Sequence, residues 1–148
     1  MLFLLVALLA ATLFTGAALY ITLVEHPARL SLAEEPMLTQ WQQSYRRALP
    51  IQSSLALVAG IGGLVAGWVL RDGWAIAGGV AMLANWPFTV SALLPINRRL
   101  SPAIAGRGDA HSHLLLLRWG RLHDVRSLLG VAGTVLLLCA FLQGIATP

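Results

Sequence analysis

Four apolar stretches run along this chain, separated by short polar segments. They cover residues 2–24, 49–70, 74–94 and 127–145. A helix needs about 20 apolar residues to cross a hydrocarbon core, so each stretch predicts one crossing. The fourth pattern begins earlier, near His113, and predicts one or two amphipathic turns before the apolar core. Pro27 stands where the first helix should stop or kink. Arg71, Asp72 and Gly73 predict a tight turn between the second and third helices. No tandem repeat interrupts the series, so residues 1–148 read as one domain. The expected fold is all-α, an integral membrane four-helix bundle.

Composition strengthens this reading. Hydrophobic residues make up 57% of the chain and charged residues 11%, where a soluble domain carries roughly 25% charged. Lysine is absent, so the formal charge of +4 rests on arginine. Nine of the ten arginines fall in two segments. One holds Arg29, Arg46 and Arg47. The other holds Arg98, Arg99, Arg107, Arg118, Arg121 and Arg126. Only Arg71 lies between the second and third stretches. Positively charged loops stay in the cytoplasm. This places both termini on the non-cytoplasmic side of an inner (cytoplasmic) membrane, in a multi-pass protein. The basic balance therefore points to membrane lipids as partners and not to nucleic acid. Trp68 and Trp74 suit the outer interface, Trp41 and Trp119 the inner one. The first stretch lacks a basic flank and is longer than the roughly 7–15 apolar residues of a signal peptide, so it is expected to remain as a helix. Cys139 is expected to be a small buried hydrophobe.

Small residues predict where helices touch. Gly63 and Gly67, with Gly60 nearby, form one thin face, and Gly78 and Gly79 begin another; such faces let backbones approach closely. They serve packing within one bundle or between copies in a homo-oligomer. The stretch from Pro102 to Ala110, with Gly106 and Gly108, is expected to be mobile.

The polar residues form a pattern of their own. Thr15, Thr22 and Arg29 recur at heptad spacing, with Glu25 beside them, and Glu25 and Arg29 are an i,i+4 pair. Asn85 and Thr89 share a face around Pro87, which removes a backbone N–H and frees an upstream carbonyl. Trp119, His123 and Arg126 share a face at i, i+4 and i+7, while Asp124 points elsewhere. Glu25, His26, Arg29, Asn97, His123 and Arg126 all map to the same ends of three helices, and Tyr45 and Arg46 come from the remaining one. Ionisable groups directed into a membrane bundle are functional candidates. Together they predict a pocket at the cytoplasmic edge for an amphipathic, lipid-soluble molecule. His26, His123 and Glu25 offer a candidate metal set, since imidazole and carboxylate suit iron, copper or zinc. A haem on His26 or His123 is equally open. His111 and His113, two apart, do not share a helix face.

VEHPARL after the first helix, W-x-x-x-Y before the second, PFTVSALLPIN closing the third and W-x-x-x-H-x-x-R opening the fourth resemble a family of small four-helix membrane proteins. That family, catalogued largely as a domain of unknown function, includes the anthrone oxygenases. The resemblance covers nearly the whole chain. It implies oxidation of an electron-rich, hydrophobic aromatic of anthrone or quinol type to a quinone, with dioxygen as co-substrate and a metal or haem as an open question. The matching positions are Glu25, Pro27, Trp41, Tyr45, Pro87, Thr89, Pro95, Asn97, Trp119, His123 and Arg126. The expected catalytic group is His123, Glu25, Arg126 and Asn97, with Arg29, Tyr45, Trp119, Thr89 and Asn85 contacting substrate. Two other classes compete. A non-catalytic membrane module, or a metal- or haem-binding subunit, would use the arginines for headgroups or a partner protein. A small transporter would need an acidic residue in mid-membrane, whereas Glu25 lies at a helix end.

Overall fold

The computed structural model describes residues 1–101 and 110–146. The stretch expected to be mobile, with Gly106, Arg107 and Gly108, lies outside them, as does the His111 side chain. The described chain is helical nearly throughout, and four helices are long and apolar enough to cross a membrane. We label them α1 (Leu2–Leu30), α2 (Glu34–Leu70), α3 (Gly73–Leu100) and α4 (Ala110–Ala146). Each packs beside its neighbour in the chain, and α4 closes back on α1. The diagonal pairs barely touch.

The helices run further than the apolar pattern alone predicts. α1 does not stop at Pro27. It makes a π-helical turn at Ile21–Glu25 and then continues through His26–Leu30. The proline sits in the first turn after the π segment, where a missing N–H is tolerated. α3 repeats the device. A π turn at Thr89–Leu93 is followed by Leu94–Leu100, with Pro95 again in the first turn. α2 begins at Glu34, well before the expected start at residue 49, and carries Pro50 within it. Two features explain the early start. Glu34 and Glu35 occupy its first turn, which suits the positive end of the helix dipole. Met37, Leu38 and Trp41 then bury one helical face. Pro50 lies on the exposed side.

The turn between α2 and α3 is tight, as expected. Arg71 takes a left-handed conformation with φ of 54°, and the Asp72 side chain caps α3 by accepting from the Ala75 N–H at 2.9 Å. The glycine faces pack within the bundle. A Cβ on Gly63 would fall 2.9 Å from the Gly79 Cα, and one on Gly78 would fall 2.8 Å from the Leu137 Cγ. Gly60, Gly63 and Gly79 thus bring α2 against α3. Gly78, with Gly133 opposite, brings α3 against α4.

Two expectations fail at individual residues. Trp41 and Trp119 are not interfacial anchors; they are 1% and 7% exposed, whereas Trp68 is 83% exposed. They pack into a core of their own with Leu93, Ile96 and Leu116, separate from the alanine-rich core around Phe14. Cys139 is exposed on the outer side of α4 and not buried. Large apolar side chains such as Leu2, Leu13, Leu23, Ile51 and Leu128 also face outward around the bundle.

Candidate functional site

The tryptophan-centred core surrounds a cavity of about 30 Å³. All four helices contribute walls. Ile21 and Arg29 come from α1, Trp41, Tyr45 and Gln52 from α2, Thr89, Leu93 and Asn97 from α3, and Trp119, His123 and Arg126 from α4. The two π turns supply Ile21, Thr89 and Leu93. A π turn carries one residue more than an α turn and shifts the helical face beyond it. Such turns recur at functional sites.

The α4 residues are held as a stack. The Trp119 and His123 rings lie 4.9 Å apart between centroids and 26° from parallel. Trp119 Nε1 donates to Asn97 Oδ1 at 2.9 Å. Trp41 meets Trp119 edge-on at 6.0 Å and stacks on Tyr45 at 5.0 Å. His123 Nδ1 contacts Thr22 Oγ1 at 3.2 Å, and the same hydroxyl meets Ser127 Oγ at 3.0 Å. That bond fixes the ring orientation and leaves Nε2 as the other imidazole nitrogen. Thr22 belongs to the threonine stripe of α1, whose Thr15 also bonds to α4, at Thr134 (2.9 Å).

Two guanidinium groups are buried here, and they differ. Arg29 is 2% exposed and pairs with Glu25 at 2.5 Å. It also bonds to Gln40 and lies 5.7 Å from the Trp119 ring centroid. Glu25 Oε1 accepts in addition from Gln40 Nε2 at 2.9 Å and from the Ser44 hydroxyl. One oxygen of its carboxylate thus takes all three bonds, that from Arg29 among them, and Glu25 does not line the cavity. Arg126 is 8% exposed and has no carboxylate; its Nη2 donates to Gln52 Oε1 at 3.2 Å, and it lies over the Phe14 ring at 5.5 Å. Arg29–Glu25 is the one ion pair among the described residues.

Three buried N–H donors in the cavity walls have no partner: Arg29 Nη1, Trp41 Nε1 and Arg126 Nε. Buried donors normally find acceptors. Two cationic groups and three free donors, with no carboxylate in the wall, suit an anion or an acceptor oxygen. They do not suit a metal cation. Among the described residues no three His, Cys, Asp or Glu side chains stand where they could hold a metal ion, so Glu25, His26 and His123 do not assemble as a ligand set. A cavity of this size has no room for a haem either. His26 instead packs on Trp119 at 5.4 Å, and a Cβ on Gly120 would overlap its Nε2.

Residues 41–136 match the anthrone oxygenase family. The chain belongs to that family. A curated anthrone oxygenase of Claviceps purpurea (strain 20.1) is 28% identical over 145 residues, covering 88% of this chain and 83% of the relative. No solved structure matches. The family match takes in the α2, α3 and α4 walls of the cavity, from Trp41 to Arg126; Glu25, His26 and Arg29 precede it.

The structure brings Arg29, Tyr45, Thr89, Asn97, Trp119, His123 and Arg126 to one cavity, and leaves Glu25, His26 and Asn85 outside its wall. Arg46 is exposed. Sequence reasoning missed Gln40, Ser44 and Gln52, and gave Trp41 no place in the site. Gln52 carried a readable signal, an amide inside an apolar stretch. Gln40 and Ser44 carried one too, an i,i+4 pair on the buried side of the amphipathic start of α2.

Proposed function

We propose that this protein is a membrane-embedded oxygenase that oxidises an electron-rich, hydrophobic aromatic of anthrone or quinol type. The four helices span the bilayer, with the arginine-rich ends in the cytoplasm, both termini on the other side, and the cavity near the cytoplasmic edge. The observation that carries the reading is the pairing of His123 with an uncompensated Arg126 in a wall of unpartnered donors. A buried cation without an anion is costly, and an oxyanion formed on the substrate would offset that cost.

His123 Nε2 removes a proton from the acidic C–H or O–H of the aromatic. Thr22 at Nδ1 holds the ring in place for this transfer. Arg126, Arg29 and Trp41 donate to the resulting enolate or phenolate oxygen, and fixed donors of this kind stabilise developing negative charge. Glu25 acts through Arg29 as a positioning residue, and Asn97 acts through Trp119. Dioxygen then oxidises the electron-rich anion. For an anthrone, the methylene loses both hydrogens and gains one oxygen atom as a carbonyl, and the other oxygen atom leaves as water.

The test is oxygen uptake by the intact protein in lipid vesicles supplied with anthrones and hydroquinones. His123→Ala should lower kcat by about a hundredfold or more with insertion and helicity unchanged. Glu25→Gln should mainly lower kcat by loosening Arg29, a donor to the oxyanion that forms only during the reaction. Full uptake by correctly inserted His123→Ala would sink the assignment of the base, and no uptake by the wild type on any of these compounds would sink the oxygenase reading.

A further inference from the structure

The cavity that holds His123 is too small for the molecule it is proposed to act on. About 30 Å³ admits one or two waters or a dioxygen molecule, since roughly 10–15 Å³ on the same scale suffices for one water. An aromatic ring needs more. A closed apolar cavity of about 150 Å³ is enough for benzene. The rings must therefore lie elsewhere, with only a reacting edge turned toward the donors.

A second space fits that need. Between α2 and α3 lies a cleft of about 200 Å³ that shares Tyr45, Leu49, Thr89 and Arg126 with the inner cavity. It is predominantly apolar and opens sideways between the helices. At its mouth Trp86 is 41% and Val90 55% exposed. Trp86 Nε1 donates across the cleft to the Ser53 carbonyl of α2 at 3.3 Å. The Pro87 region of α3 runs along this wall, and the π turn that begins at Thr89 carries the helix onward to the inner cavity.

One polar group inside the cleft is unexplained by packing. Asn85 is 2% exposed, and its Nδ2 donates to the carbonyls of Met82 and Ala81 at 3.2 and 3.4 Å. Those two acceptors fix which end of the amide is nitrogen. The Oδ1 has no partner. An acceptor buried in an apolar wall asks for a hydroxyl or N–H donor from a bound molecule.

We propose that this lateral cleft is the ring-binding site, reached from the bilayer, and that its ligand is a flat polycyclic aromatic with an acceptor oxygen directed at Arg126 and a hydroxyl directed at Asn85 Oδ1. The proposal rests on the oxygenase reading for the chemistry at the inner cavity. Its binding prediction stands separately. Tyr45, Leu49 and Thr89 form the threshold between the two spaces, and they let the reacting edge meet His123 while the remaining rings stay in the cleft.

The test uses the intact protein in phosphatidylcholine vesicles and measures equilibrium binding of monohydroxyanthraquinone isomers against unsubstituted anthraquinone. The wild type should bind at least one hydroxylated isomer about fivefold tighter than the parent, the worth of one hydrogen bond. Asn85→Leu should remove that advantage and leave the parent's affinity within about twofold. Val90→Trp, which fills the mouth from an exposed position, should weaken all the ligands about tenfold or more and lower oxygen uptake in parallel. The cleft is ruled out if the hydroxyl advantage survives Asn85→Leu, if Val90→Trp binds every quinone like the wild type, or if the wild type binds none. Oxygen uptake separates the two ideas. Full uptake by Val90→Trp discards the cleft and keeps the oxygenase. Quinone binding that tracks Asn85 and Val90 without any uptake keeps the cleft and discards the oxygenase.

Discussion

Arg126 is a guanidinium held inside an apolar bundle by one amide and one phenyl ring; its own Nε has no partner, and two further donors in the same cavity wall, Arg29 Nη1 and Trp41 Nε1, have none either. Nothing in the described residues neutralises it. Such a group weakens the fold unless a bound ligand compensates its charge. Replacing a buried charge by an apolar side chain of similar volume is often neutral or stabilising by about 1–4 kcal/mol. Arg126→Met combined with Gln52→Leu, so that the glutamine is not orphaned in turn, should therefore leave the thermal midpoint unchanged or raise it. The same double variant should lose about a hundredfold or more in kcat/KM, the scale set by removing a donor from an oxyanion site. Thermal unfolding in detergent and oxygen uptake in vesicles check the two halves. A marked fall in stability with activity intact would make Arg126 a structural residue. The helical spacing of Trp119, His123 and Arg126 already displayed this half of the site, because a buried face recurs every three or four residues. The part played by Trp41 was not legible. A tryptophan near a helix end reads as an interface anchor, and only the fold of α2 around it shows that its Nε1 faces inward.

At the scale of elements, the site depends on two π turns. Each precedes an X-Pro step: Ile21–Glu25 before His26-Pro27, and Thr89–Leu93 before Leu94-Pro95. The prolines were visible in the sequence and suggested ends or kinks. The extra residue that opens each π turn was not, since one added residue in ITLVE or TVSAL leaves no mark of its own in the spacing of polar and apolar positions. Its effect on α1 can be tested directly. One residue in an α-helix corresponds to a rotation of about 100°. Deleting Leu23, which is 69% exposed within the turn, should restore the α register and rotate His26 and Arg29 away from α4. Helix content and insertion should persist, because Thr15, Phe14 and the alanine core precede the deletion. The Glu25–Arg29 pair should also persist, because both residues lie after it. Oxygen uptake should fall about tenfold or more, since a displaced donor no longer meets the oxyanion. Circular dichroism with uptake on the same sample decides the matter, and unchanged activity would show that the π turn does not aim Arg29. Gly120 marks the same docking from the other side: it leaves room for the His26 ring that this rotation would remove.

At the scale of the whole molecule, the arginines divide into two populations with separate work. Arg98, Arg99 and Arg121 are exposed at the ends of α3 and α4, while Arg29 and Arg126 are buried in the bundle. The proposed orientation of the chain rests on the first population, because loop charge sets topology; the second lines the cavity. Moving only the first set tests this division. Arg98→Gln and Arg99→Gln together with Gly73→Arg shift positive charge toward the α2–α3 turn, where a Cβ on Gly73 meets nothing. An alkaline phosphatase reporter after residue 146, active only outside the cytoplasm, should be active on the wild type. The triple variant still leaves seven arginines in the two rich segments against two at the turn, so it should lose only part of that activity, through a minority of inverted molecules. Oxygen uptake per folded molecule, measured in vesicles with substrate on both sides, should stay within about twofold, because no substituted side chain lines the cavity or the cleft and a lateral opening does not depend on which way the bundle points. If uptake collapsed in this variant, the exposed arginines would be part of the site, and the two populations would be one.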